Sequence, residues 1–178
     1  MIRIIDDLTA WLQNEVCDKL EYKKPAERGS KEGAGYDYKR VKPTAYPCYC
    51  PPQDMAQVPA APSVTIQIDN FSDDLNGEND INIALVFVIW NTGEHTSGGF
   101  KKTFDGWRDL WQFMDKTRGE IKKNVSIAGY EVTSDIKGRP LHGDSAILGT
   151  YPYFFGELTF SIKSVTSYER NKEIRDLL

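Results

Sequence analysis

Ten residues, INIALVFVIW at positions 81–90, determine which class of fold this chain can adopt. Apolar side chains occupy both alternating faces after Asn82, which is typical of a central strand covered from both sides. Upstream, residues 64–68 alternate between apolar and polar side chains and predict a half-buried strand. The acidic stretch 69–80 between the two runs predicts a loop. We therefore expect residues 64–90 to form a long hairpin with an exposed acidic tip.

Apolar residues at helical spacing predict two longer helices. Residues 2 to about 21 carry isoleucine, leucine and valine every three or four positions, with polar residues on the other faces. A second helix is predicted to begin with Thr103 or Asp105 as its cap and to run towards Lys122. The apolar stripe of this helix is predicted to lie in the core, and it consists of Phe104, Trp107, Leu110, Trp111 and Met114.

The C-terminal part of the chain adds further strands. A short strand is predicted within 125–132, a loop over 134–149 and a strand over 153–163, where apolar and polar residues alternate. A capping box then predicts a short helix in the C-terminal extension 164–178. This order of elements predicts a single α+β domain over 1–178, in which an antiparallel or mixed sheet carries helices mainly on one face.

Proline is concentrated between residues 22 and 63, which hold seven of the nine prolines of the chain. Such a segment forms neither a long helix nor a central strand. We expect an extended arm with one short edge strand near 36–41, and long arms of this kind are usually functional or ordered by a partner. Tyr and Trp bring large contact area at small entropic cost, so the predicted contacts with neighbouring subunits or partners are Tyr36, Tyr38, Tyr46, Tyr49 and Trp11.

The charge balance disfavours a DNA-coating protein. Lys and Arg total 22 whereas Asp and Glu total 26, which gives a net charge of −4, and phosphate neutralisation needs a clustered basic surface. The longest apolar run, 83–90, is far shorter than the roughly 20 residues of a membrane span. The N-terminus lacks an apolar signal core. We expect no sequence-specific nucleic-acid binding, no membrane insertion and no secretion.

Motifs for catalysis and cofactor binding are missing from the sequence. It contains no GxxxxGK[ST], no GxGxxG after a strand and no GxSxG. His95 and His142 are therefore interpreted as ordinary surface histidines, and neither a catalytic residue nor a cofactor is predicted. Cys48 and Cys50 have one residue between them, whereas a structural zinc site needs a longer spacer and a second pair. Together with Cys17 they are predicted to be free thiols; a zinc site shared between subunits is the alternative.

The acidic stretch carries five carboxylates and no Lys or Arg. These carboxylates do not follow the ligand register of a calcium-binding loop, so we interpret the stretch as a solvated hairpin tip. A further hypothesis is that its charge repels a polyanion that must pass without sticking. In that role Asp73, Asp74 and Glu78 are predicted to face a lumen.

The order of elements and several local phrases resemble the tail terminator proteins of tailed bacteriophages and prophages, which are also described as tail-completion or head–tail joining proteins. The matching pieces are the N-terminal amphipathic helix and the segments PAAPSVTIQIDN, INIALVFVIW, FDGWRDLWQFMDKTR and YPYFFGELTFSI. The match spans most of the chain. The arm over 22–63 and the extension after Ser164 go beyond the compact pattern of that family.

This resemblance implies a structural protein that forms a homo-oligomeric ring, often hexameric, at the head-proximal end of the tail tube. Such a ring stops tube polymerisation and offers a docking surface to the neck, and it needs no catalytic residue, cofactor or metal. Its implied partners are other copies of the chain, tail tube or sheath proteins and neck proteins. Its implied location is the host bacterial cytoplasm during assembly and afterwards the virion, at the tail–head junction.

Two alternative functions follow from the residues alone. The first is a small sugar- or peptide-binding module with a concave aromatic site. The second is a small hydrolase centred on His142 and Asp144, since a histidine beside a carboxylate can act as a general base. The first alternative predicts that one cavity gathers several members of the set Trp11, Trp90, Tyr130, Tyr151 and Tyr153.

Overall fold

The computed structural model describes residues 2–25, 38–52, 59–73, 78–96, 99–101, 103, 105–124, 126–141 and 151–165. Its helices are α1 (Ile2–Glu15), a 3₁₀ turn (Cys17–Lys19) and α2 (Gly106–Lys123). Its strands are β1 (Tyr22–Pro25), β2 (Tyr38–Val41), β3 (Thr44–Pro47), β4 (Ser63–Asp73), β5 (Glu78–Trp90), β6 (Glu94–Thr96), β7 (Gly99–Lys101), β8 (Ser126–Ile127), β9 (Tyr130–Val132), β10 (Lys137–Leu141) and β11 (Tyr153–Val165).

A seven-stranded mixed sheet forms the frame of the molecule, with the order β3-β4-β5-β11-β9-β8 and with β10 also paired to β11. Only β3 runs parallel to its neighbour, β4, and the other pairs in the sheet are antiparallel. The apolar run 81–90 lies in β5, where residues 81–88 are between β4 and β11 and the last two residues pair with β11 alone among the described strands. The prediction of a central strand is therefore confirmed.

Both helices cover the same face of this sheet. The main core contains alternate residues of β4, β5 and β11, such as Ile66, Phe87 and Phe160, and it also contains Leu8 of α1 and Phe113 of α2. Alternate strand residues share one face, so the two helices lie on one side. The α+β class with helices on one face is confirmed.

A smaller apolar cluster covers the opposite face at the end of β5. Val88 and Trp90 are buried there together with Ala61, and Tyr153 and Phe155 of β11 pack against them. These residues alternate with the core-facing residues of β5 and β11. Apolar contacts on both faces explain why this end of β5 is apolar at consecutive positions.

Three predicted loops contain strands. β4 runs to Asp73 and β5 begins at Glu78, because pairing continues past a bulge between Ile68 and Asn70. The polar stretch 91–99 includes β6 and part of its hairpin partner β7, and the stretch 134–149 includes β10. Polar residues are tolerated at 69–72 of β4 and at 137–139 of β10 because these positions are exposed, where one face of the ladder meets water.

Short strands are also more frequent than expected in two other regions. Within 125–132 the chain forms a two-strand hairpin, β8 and β9, whose turn places Ala128 and Gly129 at positive φ. The described parts of 22–63 contain β1, β2 and β3, whereas one strand near 36–41 was predicted; that one corresponds to β2. Residues 166–178, where a helix was predicted, lie outside the described residues.

Candidate functional site

The aromatic residues predicted to form an interface lie in different environments. Tyr49 is 82% exposed, just beyond β3, whereas Tyr46 within β3 is half-buried. Trp11 is partly buried and packs against the main core. Tyr38 belongs to β2, and Tyr36 lies outside the described residues. Among the members of this set with a described side chain, Tyr49 is thus the one most available to a partner.

The predicted acidic and catalytic residues are mostly at or beyond the limits of the description. Asp73 ends β4 and Glu78 begins β5, while Asp74 between them is outside the described residues. His95 lies in β6. His142 and Asp144 are both outside the described residues. The lumen hypothesis and the hydrolase hypothesis therefore remain predictions from the sequence.

The three cysteines are free thiols. Cys48 has a φ of 60°, and its backbone N–H donates to the Ile66 carbonyl at 2.8 Å, while Cys50 Sγ donates to the Ala60 carbonyl at 3.4 Å. Cys17 is buried. In the described ranges no three His, Cys, Asp or Glu side chains come together as a metal site.

The five aromatic residues of the sugar- or peptide-binding alternative are spread over the molecule. Trp90 is buried in the smaller apolar cluster, where Tyr153 also packs. Trp11 and Tyr130 pack against the main core instead. Tyr151 donates its hydroxyl to the Thr92 carbonyl. Their contacts therefore belong to separate packing regions rather than to one aromatic site.

Two tryptophans of α2 are exposed, which corrects the prediction that they belong to the core. Trp107 is 49% exposed and Trp111 is 41% exposed, and the Arg108 guanidinium lies 5.6 Å from the centre of the Trp107 ring. Phe104, predicted in the same stripe, is outside the described residues. The buried face of α2 is instead shifted towards the positions that directly precede the two tryptophans. It consists mainly of Leu110, Phe113, Met114, Thr117 and Ile121.

The exposed tryptophans lie on the flank of α2 towards β10. Phe113 contacts the rings of Tyr22 and Phe87, on the β1 and β5 side. Met114 lies on the opposite side, where a Cβ added at Gly138 of β10 would come within 3.3 Å of Met114 Cε. At 100° per residue, Trp107 and Trp111 follow Met114 in the direction away from Phe113. We call this pair of side chains the tryptophan surface.

Two further exposed aromatic residues lie towards the other side of the sheet. Tyr49 follows β3, which forms the last strand on that side, and Phe71 is 57% exposed in β4. β3 pairs with the first residues of β4 only, so the part of β4 that holds Phe71 has no described strand beyond it. We call Tyr49 and Phe71 the edge surface. The molecule thus presents exposed aromatic residues at two opposite sides.

A pocket of about 620 Å³ opens between β1, β2 and the first turns of α2. Five carboxylates and three cationic side chains line it, so the lining has a net charge of −2. Its volume lies within the range of small-molecule sites. The polar lining distinguishes it from the apolar tryptophan and edge surfaces. We call it the charged pocket.

A hydrogen-bonded chain lies along one wall of the charged pocket. Asn91, which follows β5, donates its Nδ2 to Asp109 Oδ2 at 2.7 Å. Asn91 Oδ1 accepts from Lys23 Nζ at 3.3 Å and from the Gly93 backbone N–H at 3.0 Å, and Lys23 also donates to the Gly93 carbonyl at 2.7 Å. The buried amide thereby fixes the orientation of the Asp109 carboxylate.

Two hydroxyls of pocket-lining residues are buried and have no hydrogen-bond partner among the residues that the structure describes. These are Tyr22 Oη and Thr103 Oγ1, and Tyr22 as a whole is only 4% exposed. Burial raises the pKa of Tyr22, and the charge of Asp109 raises it further, so the phenol and the carboxylate interact electrostatically. A buried hydroxyl with no partner costs free energy, which a ligand that bonds to it would recover.

Burial also raises the pKa of Asp109, and the neighbouring Asp105 contributes in the same direction. The Asn91 hydrogen bond and the charges of Lys23 and Arg40 act against this rise without cancelling it. The carboxylate is therefore poorly solvated for a charged group. Perturbed carboxylates in a cleft are a common mark of functional sites.

Sequence reasoning did not identify the charged pocket. Its wall is built from residues of four separate segments, represented by Tyr22, Arg40, Asn91 and Asp109. No spacing motif joins them along the chain. One local signal exists, since Asn91 directly follows the apolar run of β5 and a polar residue at the end of a buried strand often belongs to a site. This signal indicates where a site could lie, but it does not indicate which ligand or reaction the site would serve.

No protein-family model and no curated protein matches this chain. Within the described residues, neither helix combines the length and the apolar composition that crossing a membrane requires.

Proposed function

We propose that this chain is a structural assembly protein of a phage or prophage, a tail terminator or neck protein that forms a homo-oligomeric ring at the tail–head junction. The proposal starts from the resemblance in element order and local sequence. The observation that carries it further is the presence of two different exposed aromatic surfaces on opposite sides of the sheet.

Two different surfaces on opposite sides suit a ring better than a symmetric dimer. A two-fold dimer uses the same patch on both subunits, whereas a ring forms when one patch of each copy binds a different patch of the next copy. The tryptophan surface and the edge surface are such a pair. Aromatic side chains at exposed positions are also the residues that contribute most binding energy in protein interfaces.

Function of the ring would follow from its shape. A closed ring of copies on the last layer of a tail tube occupies the surface where the next tube subunits would add, and its outer face is then available to a neck protein. The ends of β4 and β5, with Asp73 and Glu78, are the elements proposed to face the lumen. A negative lumen would let DNA pass with little adhesion.

The interface can be tested with two complementary variants. One carries Trp107→Ser and Trp111→Ser, and the other carries Tyr49→Ser and Phe71→Ser, so that each loses one surface and keeps the other. We expect the unmodified chain to form rings, measured by light scattering and negative-stain electron microscopy. Each variant alone should be monomeric, and an equimolar mixture should form dimers that do not close. Homodimers of either variant would contradict the head-to-tail arrangement.

The biological role needs a separate measurement. Purified chain is added to tail tube protein that is polymerising, and tube lengths are measured by electron microscopy. We expect tubes that stop growing and carry the chain at one end. A chain that stays monomeric at high concentration and also leaves tube length and tube ends unchanged would overturn the proposal.

A further inference from the structure

We propose that the charged pocket binds a guanidinium group, with the Asp109 carboxylate as its charge partner and the Tyr22 and Thr103 hydroxyls as further hydrogen-bond acceptors. The pocket is separate from the tryptophan and edge surfaces, so this proposal does not depend on ring formation. The guanidinium belongs either to a free arginine-like molecule or to an arginine side chain of a second copy of the chain. Both present the same chemical group.

The charge of the lining selects a cation. Five carboxylates face three cationic groups. Two of the carboxylates, Asp18 and Asp105, already pair with cations outside the lining, and two of the cations are engaged as well, so the excess of negative charge remains. Lys19 pairs with Glu15, which is not part of the lining, at 2.7 Å. Lys23 donates to Gly93 and to the Asn91 amide, whose other end faces Asp109. A cationic ligand would therefore gain more from this lining than an anion of the same size.

The hydrogen-bonding groups select a ligand with several donors. Asp109 uses Oδ2 for the Asn91 amide, and no hydrogen bond to its Oδ1 is found among the described residues. Tyr22 Oη and Thr103 Oγ1 belong to residues of the lining, are closed to solvent in the free chain and have no partner among the described residues. A guanidinium offers five N–H donors in one plane and is more weakly hydrated than an ammonium. It can therefore reach several acceptors at once and enter a partly buried site at lower cost.

The first test compares two ligands of the same shape on the unmodified chain. Nα-acetyl-arginine methylamide carries the guanidinium, and Nα-acetyl-citrulline methylamide replaces it with a neutral urea. We expect the arginine compound to bind at least about tenfold more tightly by calorimetry, because charge-assisted hydrogen bonds are the stronger ones. Nα-acetyl-lysine methylamide should bind more weakly than the arginine compound. Equal binding of the arginine and citrulline compounds, or no binding of either, would overturn the proposal.

The second test assigns the contacts. Asp109→Asn keeps an oxygen that can accept from Asn91 but removes the charge, so we expect it to lose the preference for arginine over citrulline. Tyr22→Phe and Thr103→Val should each weaken arginine binding several-fold. Asp115→Asn is the matched control, since Asp115 is an exposed carboxylate of the same helix that pairs with Arg118 instead. If Asp109→Asn keeps the preference at unchanged thermal stability, the assignment of Asp109 is wrong.

A third measurement distinguishes the two sources of the group. Saturating Nα-acetyl-arginine methylamide is added to any oligomer that the chain forms. Dissociation of the oligomer, without dissociation by the citrulline compound, identifies an arginine of a second copy as the occupant. Binding of the compound to an intact oligomer identifies a free small molecule instead. Both results support the site, and both differ from the absence of binding that would overturn it.

Discussion

The side chain of Gln13 closes the outer edge of the sheet by bonding to Ala45. Gln13 Oε1 of α1 accepts a hydrogen bond from the Ala45 backbone N–H of β3 at 2.9 Å. In the β3–β4 ladder the N–H groups of Thr44 and Cys48 point inwards, to the carbonyls of β4 and its preceding residue. The outward positions are therefore Ala45 and Pro47, and proline has no N–H to offer. Over the described residues of β3, this edge thus presents no free donor to another strand, and proteins commonly protect edges in this way.

Gln13→Ala is expected to open that edge. The free energy of unfolding should fall by about 1 kcal/mol, the usual value of one hydrogen bond, and the exposed Ala45 N–H should promote strand pairing between molecules. Chemical unfolding and light scattering at raised concentration measure the two effects. Asn14→Ala, an exposed neighbour in α1, is the control. Unchanged stability with unchanged scattering would show that the Gln13 side chain does not protect the edge.

Two glycines of α2 should respond to alanine in opposite directions. Among the described residues, no atom beyond the neighbouring residues and backbone of α2 lies within 4 Å of the Cβ position at Gly119. Gly119→Ala therefore meets open space in a helix interior and is expected to stabilise by about 0.5–1 kcal/mol. A Cβ at Gly106 would overlap the ring of Phe154, so Gly106→Ala should destabilise by about 1–3 kcal/mol. Thermal unfolding of both variants measures the difference, and equal shifts would contradict the packing of α2 on β11.

Cys17 is expected to be unreactive in the folded protein. Burial raises the pKa of its thiol to about 12, with the charge of Asp18 contributing, and the thiolate is the reactive form. Cys48 and Cys50 are partly exposed. Titration with a thiol reagent at pH 8 should therefore modify two of the three cysteines in the native state and all three in denaturant. Fast modification of a third thiol in the native protein would mean that the region after α1 opens readily.

The sequence predicted the regular elements well where one period dominated. The alternation of 153–163 and the apolar run of β5 predicted strands, and the structure contains both. The first helix, predicted to reach about residue 21, ends at Glu15 and is followed by a 3₁₀ turn over Cys17–Lys19. In α2 the boundaries were correct and the buried face was not, because two stripes compete in the same helix. The aromatic stripe is more apolar, but the true core stripe includes the polar Thr117 and Glu120, which are buried with partners of their own.

Local bonds make those two polar residues acceptable in the core of α2. Thr117 Oγ1 donates to the Phe113 carbonyl at 2.9 Å, and Glu120 lies between Lys116 and Lys123. A buried polar group with a partner costs far less than one without. Spacing rules count such residues as exposed, so they place the buried face of this helix one position too late, at Trp107 and Trp111 instead of Gly106 and Leu110. The charged pocket was missed for a different reason, since its residues meet only through the fold.

Asp109 should make the folded state less stable as pH rises. The pKa of its carboxyl is raised from its ordinary value of 3.8, chiefly by burial, so the folded chain holds this proton to higher pH than the unfolded chain. The stability from this group therefore falls as pH rises above 3.8. Relative to the unmodified chain, Asp109→Asn should gain stability between pH 4 and pH 7. Unfolding in urea at several pH values measures this, and a relative loss over that window would contradict it.

Glu120 should behave in the opposite way, on the same helix. Its carboxylate accepts hydrogen bonds from Lys123 and Lys116, at 2.9 and 3.0 Å, and these bonds lower its pKa from 4.5 to about 2. The folded chain thus releases this proton more readily than the unfolded chain. The stabilisation is complete above pH 4.5 and is lost as pH falls towards 2. Because Lys123 is well exposed and Lys116 is partly exposed, we expect the size of this stabilisation to be only about 1 kcal/mol.

Glu120→Gln tests this directly. At pH 7 the variant should unfold more easily than the unmodified chain, and the difference should shrink as pH falls from 4.5 towards 3, because the unmodified carboxyl then becomes neutral as well. Asp115→Asn serves as the control, since its carboxylate is 67% exposed and forms one pair with Arg118; its effect should be smaller at every pH. A difference between Glu120→Gln and the unmodified chain that stays constant from pH 7 to pH 3 would show that shape rather than charge makes Glu120 stabilising. Its burial between two lysines would then be a packing feature of α2.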